Sequence, residues 1–279
     1  MGTKTSFEQV VFSGGGNRCI WQGGFYTHLT QALPVQPKRI GAVSAGAAVA
    51  CVLVAGRAMA TLRHFKTLMG RNPSNFYPLR WLQGQPAFPH EALYRQAILD
   101  VLSPAAFQRL QKGPEILIQL ARHPAWLGTV PSAMLGMAVY ELEKKLFKPV
   151  HPKWSKRLGF KPEVASTRHC ETPEQLVDLL LASSCTPPFT PLLRWNGGPV
   201  LDGGLVDNVP VDILPRQGGK TLVLLTRRYE KLPVVTDRMY VQPSADLAIQ
   251  SWDYTNPQGL QDTFDLGLRD AERFVEGLG

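Results

Sequence analysis

The sequence predicts an α/β fold, a mainly parallel sheet covered by helices, and three observations carry that expectation. A short apolar run, Val10-Val11-Phe12, passes through Ser13-Gly14-Gly15-Gly16-Asn17-Arg18 into helical periodicity over residues 20–33. A second apolar run around Ile40 enters Gly41-Ala42-Val43-Ser44-Ala45-Gly46, and small and apolar residues then continue as a helix over 47–54. The third is a β-branched, apolar stretch at 220–226 that suits a sheet interior. Strand, helix, strand, helix is the order in which parallel strands are joined by crossovers packed on the sheet.

Length and composition set the limits within which these elements must fit. At 279 residues, with 44% hydrophobic and 19% charged, the chain is globular and long enough for one large domain carrying an insertion. The formal charge of +8 points to an anionic partner, nucleic acid or an acidic membrane surface. Cys19, Cys51, Cys170 and Cys185 are far apart and show neither metal-ligand spacing nor a disulfide framework, so they read as reduced thiols in a cytoplasmic-type compartment, with no metal or cofactor expected. The first nine residues are polar and lack the apolar segment of a secretory signal. Met1-Gly2-Thr3-Lys4-Thr5-Ser6 fits the loose N-myristoylation pattern.

Three glycines ahead of a helix leave backbone N–H groups uncovered where the helix dipole is positive, so the loop suits an anion. Asn17-Arg18-Cys19 does not supply the Gly-Lys-Ser/Thr ending of a phosphate-binding Walker loop. A dinucleotide fingerprint is missing its third glycine and its later acidic residue. An oxyanion hole serving a nearby nucleophile is the reading left, beside that of a flexible turn. The nucleophile candidate is Ser44, at a strand-to-helix turn between small residues, where its hydroxyl would stand clear of the sheet. The competing role for Ser44 is an N-cap of the following helix.

Residues 59–110 read as helices broken at Pro73, Pro78, Pro86 and Pro89, with Phe76, Tyr77, Trp81 and Phe88 interleaved. The uncharged stretch 124–140 is interrupted by proline and glycine and reads as surface-apolar or buried, not as a membrane span. Lys144, Lys145, Lys148, Lys153, Lys156, Arg157 and Lys161 follow, with Phe147, Trp154 and Phe160 among them. An apolar segment with a basic, aromatic tail suits peripheral docking on anionic lipid; nucleic-acid binding and a plain solvated face are the alternatives. A helix over 173–185, with Thr172 as N-cap, ends in a proline-rich segment. A hairpin turn at Trp195-Asn196-Gly197-Gly198 feeds a strand that ends at Asp202-Gly203-Gly204, and an amphipathic helix over 260–278 closes the chain.

A serine needs a base, and in the serine, acid, histidine order the histidine lies beyond the acid. The histidines are at 28, 64, 90, 123, 151 and 169, so none follows Asp202, leaving Asp202 itself as the candidate base or as an ordinary turn residue. Gly14-Gly15-Gly16-Asn17-Arg18, Ala42-Val43-Ser44-Ala45-Gly46 and Asp202-Gly203-Gly204, in this order, resemble the patatin-like phospholipase family. The segment 182–191 is similar to that family's helix end ahead of its aspartate. The resemblance covers most of residues 8–226 and implies a single patatin-like domain over 1–279, a three-layer αβα fold with a variable helical insertion at about 70–165. It further implies Ser44 as nucleophile, Asp202 as base, and Gly14, Gly15 and Gly16 as oxyanion donors, with Arg18 as further support. The activity implied is metal-free hydrolysis of lipid acyl esters, of phospholipase A or lysophospholipase type, on a lipid or phospholipid substrate at an anionic membrane, without nucleic acid. Ala42 stands where the family has glycine, and its methyl group could crowd the turn. A soluble esterase or thioesterase with the same dyad and a catalytically silent lipid-binding protein are the competing functions.

Overall fold

The computed structural model describes residues 7–278; the N-myristoylation pattern lies outside them. Strands β1 (Gln9–Phe12) and β2 (Arg39–Val43) flank helix α1 (Ile20–Ala32), and α2 (Ala45–Val54) leaves directly from the end of β2. Helices α3 (Ala58–Gly70), α4 (Pro78–Leu82), α5 (His90–Leu99) and α6 (Pro104–Lys112) follow, broken close to the prolines that the sequence marks. Strand β3 (Glu115–Arg122) comes next, then α7 (Thr129–Phe147), α8 (Trp154–Arg157), β4 (Lys161–Ser166) and α9 (Pro173–Ser183). A hairpin of β5 (Leu193–Trp195) and β6 (Gly198–Asp202), then β7 (Thr221–Leu224), β8 (Arg238–Val241) and α10 (Pro257–Glu276), complete the chain.

The sheet is mostly parallel: β3, β2, β1, β7 and β8 run side by side in that order, while β4 and β6 pair antiparallel to β3. Alternate side chains enter two cores, as a pleated strand requires. Val10, Phe12, Ile40, Ala42, Ile116 and Ile118 pack under α1, α2 and α9, whereas Val11 and Val223 meet Val209, Val211 and Leu214 on the opposite face. A further cluster joins Ala121 and Leu201 to Ala133 of α7. The layered α/β arrangement is therefore the predicted one.

The range of the expected variable helical insertion, about 70–165, holds helices and also β3, which pairs with β2 on one edge and β4 on the other and so belongs to the central sheet. The β3 run Glu-Ile-Leu-Ile-Gln-Leu-Ala-Arg is nearly continuous in apolar residues because both faces are buried, so it lacks the alternation that marks a half-exposed strand.

The register around β3 positions the site. Leu120 and Ala121 pair with β4 and also with β6, so these two strands must occupy opposite edges of β3. β2 pairs along β3 only as far as Val43 with Gln119, and β6 takes over the same edge with Asp202 opposite Leu120. The residue that ends β6 is thereby brought beside the residue that follows β2.

Candidate active site

Ser44 follows β2 with φ 53° and ψ −137°, a backbone conformation that costs a non-glycine residue about 1–3 kcal/mol and clusters at functional turns. The surrounding structure holds it there. Its N–H donates to Ser183 Oγ at 2.8 Å, and Ser183 Oγ–H in turn donates to the Gln119 carbonyl at 2.7 Å. Gly46 admits a close approach, because a Cβ there would overlap the Ser13 carbonyl oxygen. Ala42 forms the elbow without difficulty: it is fully buried in β2, paired with Phe12 and Ile118, and its φ is not positive.

Although Ser44 stands at the N-cap of α2, its side chain caps no N–H of that helix. Its hydroxyl donates instead to Asp202 Oδ2 at 2.7 Å, with Ser184 Oγ 3.4 Å away. The second carboxylate oxygen of Asp202 accepts the Gly204 N–H at 2.7 Å, and the Asp202 N–H donates to the Cys185 carbonyl at 2.6 Å. Burial pushes the Asp202 carboxyl up to about 6, against the opposing pull of the Ser44 and Gly204 hydrogen bonds. Gln119 fixes the following loop by donating to the carbonyls of Gly203 and Asp207 at 2.9 and 2.8 Å. Among the described residues no histidine contacts Ser44; His90 lines the same cavity but bonds Tyr254, and burial lowers it to about 4.

The glycine loop is a fixed element, not a flexible turn. Gly14 donates its N–H to the Asn208 carbonyl at 3.0 Å and accepts at its own carbonyl from Asn208 Nδ2 at 2.9 Å and Thr226 Oγ1 at 2.6 Å. The Gly14 N–H is thus engaged inside the protein. The N–H groups of Gly15 and Gly16 make no hydrogen bond among the described residues, and both residues line the cavity that holds Ser44 and Asp202. Gly16 has φ +59°, the left-handed region that favours glycine. Ala45 offers another free N–H at the start of α2 beside Ser44; the elbow pattern itself signals this donor, which sequence reasoning passed over.

Beside Arg18 of the glycine motif the cavity gathers two cations that no motif announces. Lys144 from α7 and Arg227 beyond β7 line it, together with Tyr140. Arg227 donates to Tyr140 Oη at 2.8 Å, and Lys144 pairs with Glu141 at 2.9 Å. Among the described residues no carboxylate lies within ion-pair distance of Arg18 or Arg227. Burial lowers the pKa of both Arg18 and Lys144, and the charge of Arg227 lowers them further. A buried anion would relieve that repulsion.

No group of side chains able to hold a metal ion occurs among the described residues, and the four cysteines are free and buried. No described helix is long and apolar enough to cross a membrane. A sequence profile described as Patatin-like phospholipase matches residues 10–215. Among curated proteins none matches the chain. Among solved structures, the crystal structure of VipD from Legionella pneumophila aligns over 97% of this chain and 67% of its own, with 13% identity and a TM-score of 0.46.

Proposed function

The chain belongs to the patatin-like phospholipase family, and from that premise we propose that it is a serine lipid acyl hydrolase working through a Ser44–Asp202 dyad, of phospholipase A or lysophospholipase type. The observation that carries the reading is the 2.7 Å hydrogen bond from the Ser44 hydroxyl to Asp202 at a strained elbow. A carboxylate whose pKa is raised to about 6 is a stronger base than an ordinary aspartate yet is still ionised at neutral pH.

In the mechanism, Ser44 Oγ attacks the ester carbonyl while Asp202 takes its proton. The carbonyl oxygen becomes an oxyanion facing the free N–H groups of Gly15, Gly16 and Ala45. The Gly14 amide is already committed to Asn208 and holds the loop in shape. As the tetrahedral intermediate collapses, Asp202 returns the proton to the departing alcohol, leaving the acyl group on Ser44. Water then attacks that ester, again giving a proton to Asp202, and collapse releases the fatty acid and restores Ser44 Oγ–H. Arg18, Lys144 and Arg227 suit a phosphate on the departing half of the substrate.

Contact with an anionic membrane is part of the proposal. Helix α7 lines the cavity through Met137, Tyr140 and Lys144 and carries exposed Val130, Met134, Leu142, Leu146 and Phe147. Leu79 and Leu82 of α4 are exposed by 72% and 76%. Apolar side chains beside lysines suit insertion at a charged lipid surface. The test is lipid product analysis with anionic and zwitterionic vesicles. Free fatty acid and lysolipid should appear with the wild type and not with Ser44→Ala, faster on anionic vesicles. Equal turnover of monomeric and vesicular esters would indicate a soluble esterase instead; vesicle binding without turnover would indicate a silent binder.

A further inference from the structure

Arg57, Arg63, Arg109 and Lys112 line one open groove at the end of the sheet opposite to the dyad. Pro37 and Pro114, which also line it, lie just before β2 and β3, whereas Ser44 follows β2. Helix α2 spans the distance between the two sites: Ala45 lines the dyad cavity, and Leu53 lines the groove about 12 Å further along the helix axis. The groove has a volume of about 1110 Å³, and none of the residues lining it is acidic. Among the described residues no carboxylate lies within ion-pair distance of any of its four cations. Asp100 and Glu115, the carboxylates that flank α6, are engaged elsewhere, the first with His64 at 2.8 Å and the second with Arg39 at 3.4 Å and Ser166 at 2.9 Å. Two of the guanidinium groups are held in place. Arg57 Nε donates to the Val101 carbonyl at 2.8 Å, which leaves its Nη groups for another partner. Gly56 has φ +70°, and a Cβ there would stand 2.7 Å from Arg109 Nη1, so the Arg109 guanidinium lies against the bare backbone of this turn. The dipole of α6 favours Arg109 and Lys112 in its last turn, but Arg57 stands at the N-terminal end of α3, where a cation is disfavoured. Cations gathered without counter-charge repel one another, and a multivalent anion would offset that repulsion.

We propose that this groove is a second binding site, separate from the Ser44 chemistry, for a ligand carrying several phosphate groups. Guanidinium forks match phosphate oxygens two at a time, and three of the four cations are arginines. Thr30, Gln36 and Gln108, which also line the groove, suit the neutral polar frame that carries the phosphates. The phosphate of a substrate held at Ser44 lies among Arg18, Lys144 and Arg227, so the groove at the far end of α2 takes a different molecule. Its phosphates belong to a free polyphosphate or to a polyphosphorylated lipid headgroup, two sources of the same chemistry.

The experiment measures calorimetric titration with inorganic tripolyphosphate, and co-sedimentation with phosphatidylcholine vesicles carrying phosphatidylinositol bisphosphate, at physiological ionic strength, where loose counterion association is screened. The proteins are wild type, Arg57→Gln, the double variant Arg63→Gln/Lys112→Gln, Arg227→Gln and Ser44→Ala. Arg63 and Lys112 are exposed, so the double variant keeps the fold, as circular dichroism should show. Binding of at least one probe should weaken by about tenfold or more in Arg57→Gln and in the double variant, and stay within about twofold of wild type in Arg227→Gln and Ser44→Ala. Tripolyphosphate binding without vesicle binding assigns the free source; groove-dependent vesicle binding that tripolyphosphate displaces assigns the headgroup. The proposal is overturned if neither probe binds, if both groove variants bind as wild type does, if binding is lost in Arg227→Gln alone, or if poly-glutamate binds the groove as tightly as tripolyphosphate. A failed dyad leaves these outcomes readable, because none of them depends on turnover.

Discussion

Replacing Asp202 by asparagine should abolish most activity and at the same time make the protein more stable at alkaline pH. The asparagine fits the same space. Its carbonyl can keep the Gly204 N–H, while its amide donates to Ser44 Oγ and can no longer take a proton from it. Loss of a general base costs about 10²–10⁴ in rate. The stability effect follows from the direction of the Asp202 shift. Burial raises this carboxyl from an ordinary ~3.9 to about 6 in the folded state. The folded protein therefore binds the proton more tightly than the unfolded chain does. The resulting stabilisation is fully present below the unfolded value, is lost as pH rises through about 6, and is absent at pH 8. A displacement of about two pH units at ~1.4 kcal/mol each is about 3 kcal/mol, and partial solvation through the cavity reduces it to about 1–2 kcal/mol. Asp202→Asn escapes this penalty. Urea unfolding at pH 8 should show the variant more stable by that amount, and the gap should close towards pH 4. A variant less stable than wild type at pH 8, or a gap independent of pH, would refute the reasoning.

Other perturbations test neighbouring parts of the site. The pH profile of kcat/KM should rise through an apparent pKa of about 6 and then level off, since Asp202 must be ionised to accept the Ser44 proton; a profile that is flat from pH 5 to 8 would remove Asp202 as base. Gly16→Ala places a side chain at φ +59° against the Ser251 carbonyl and should lower kcat by about 10²–10³, judged by the usual cost of losing one oxyanion donor, with KM changed far less. Ala42→Gly removes a buried methyl from β2 and adds backbone freedom, so stability should fall by about 1 kcal/mol in denaturant unfolding with activity per folded molecule retained. Arg227→Gln should raise KM for anionic phospholipid more than for an uncharged ester, because it removes one of the unpaired cavity cations.

The opening of the fold is legible in the sequence because each step carries its own local signal. The apolar run before Gly14, the helical repeat that becomes α1 and the small residues around Ser44 all coincide with elements of the structure. Thr172 caps α9 by accepting the Gln175 N–H at 3.2 Å, and the Asn196-Gly197 turn joins β5 to β6, both as expected. What the sequence conceals is produced by packing. β3 is buried on both faces and has no alternation, and β8 is a four-residue strand beginning with arginine that becomes a strand by pairing with β7. Of the candidate site residues, Ser44 and Asp202 meet because β2 and β6 share one edge of β3, which no local pattern could show. Gly15, Gly16 and Arg18 line the same cavity, and Gly14 lies behind them, tied to Asn208. Tyr140, Lys144 and Arg227 belong to no motif; they converge only when α7 folds over the end of β7.

The claim on which the rest depends is that Ser44 is an activated nucleophile, and labelling with a fluorophosphonate probe followed by intact-mass and peptide analysis tests it most directly. A single adduct is expected on the peptide containing Ser44, none in Ser44→Ala, and strongly slowed labelling in Asp202→Asn. Equal labelling of wild type and Ser44→Ala, or an adduct on another residue, would contradict it.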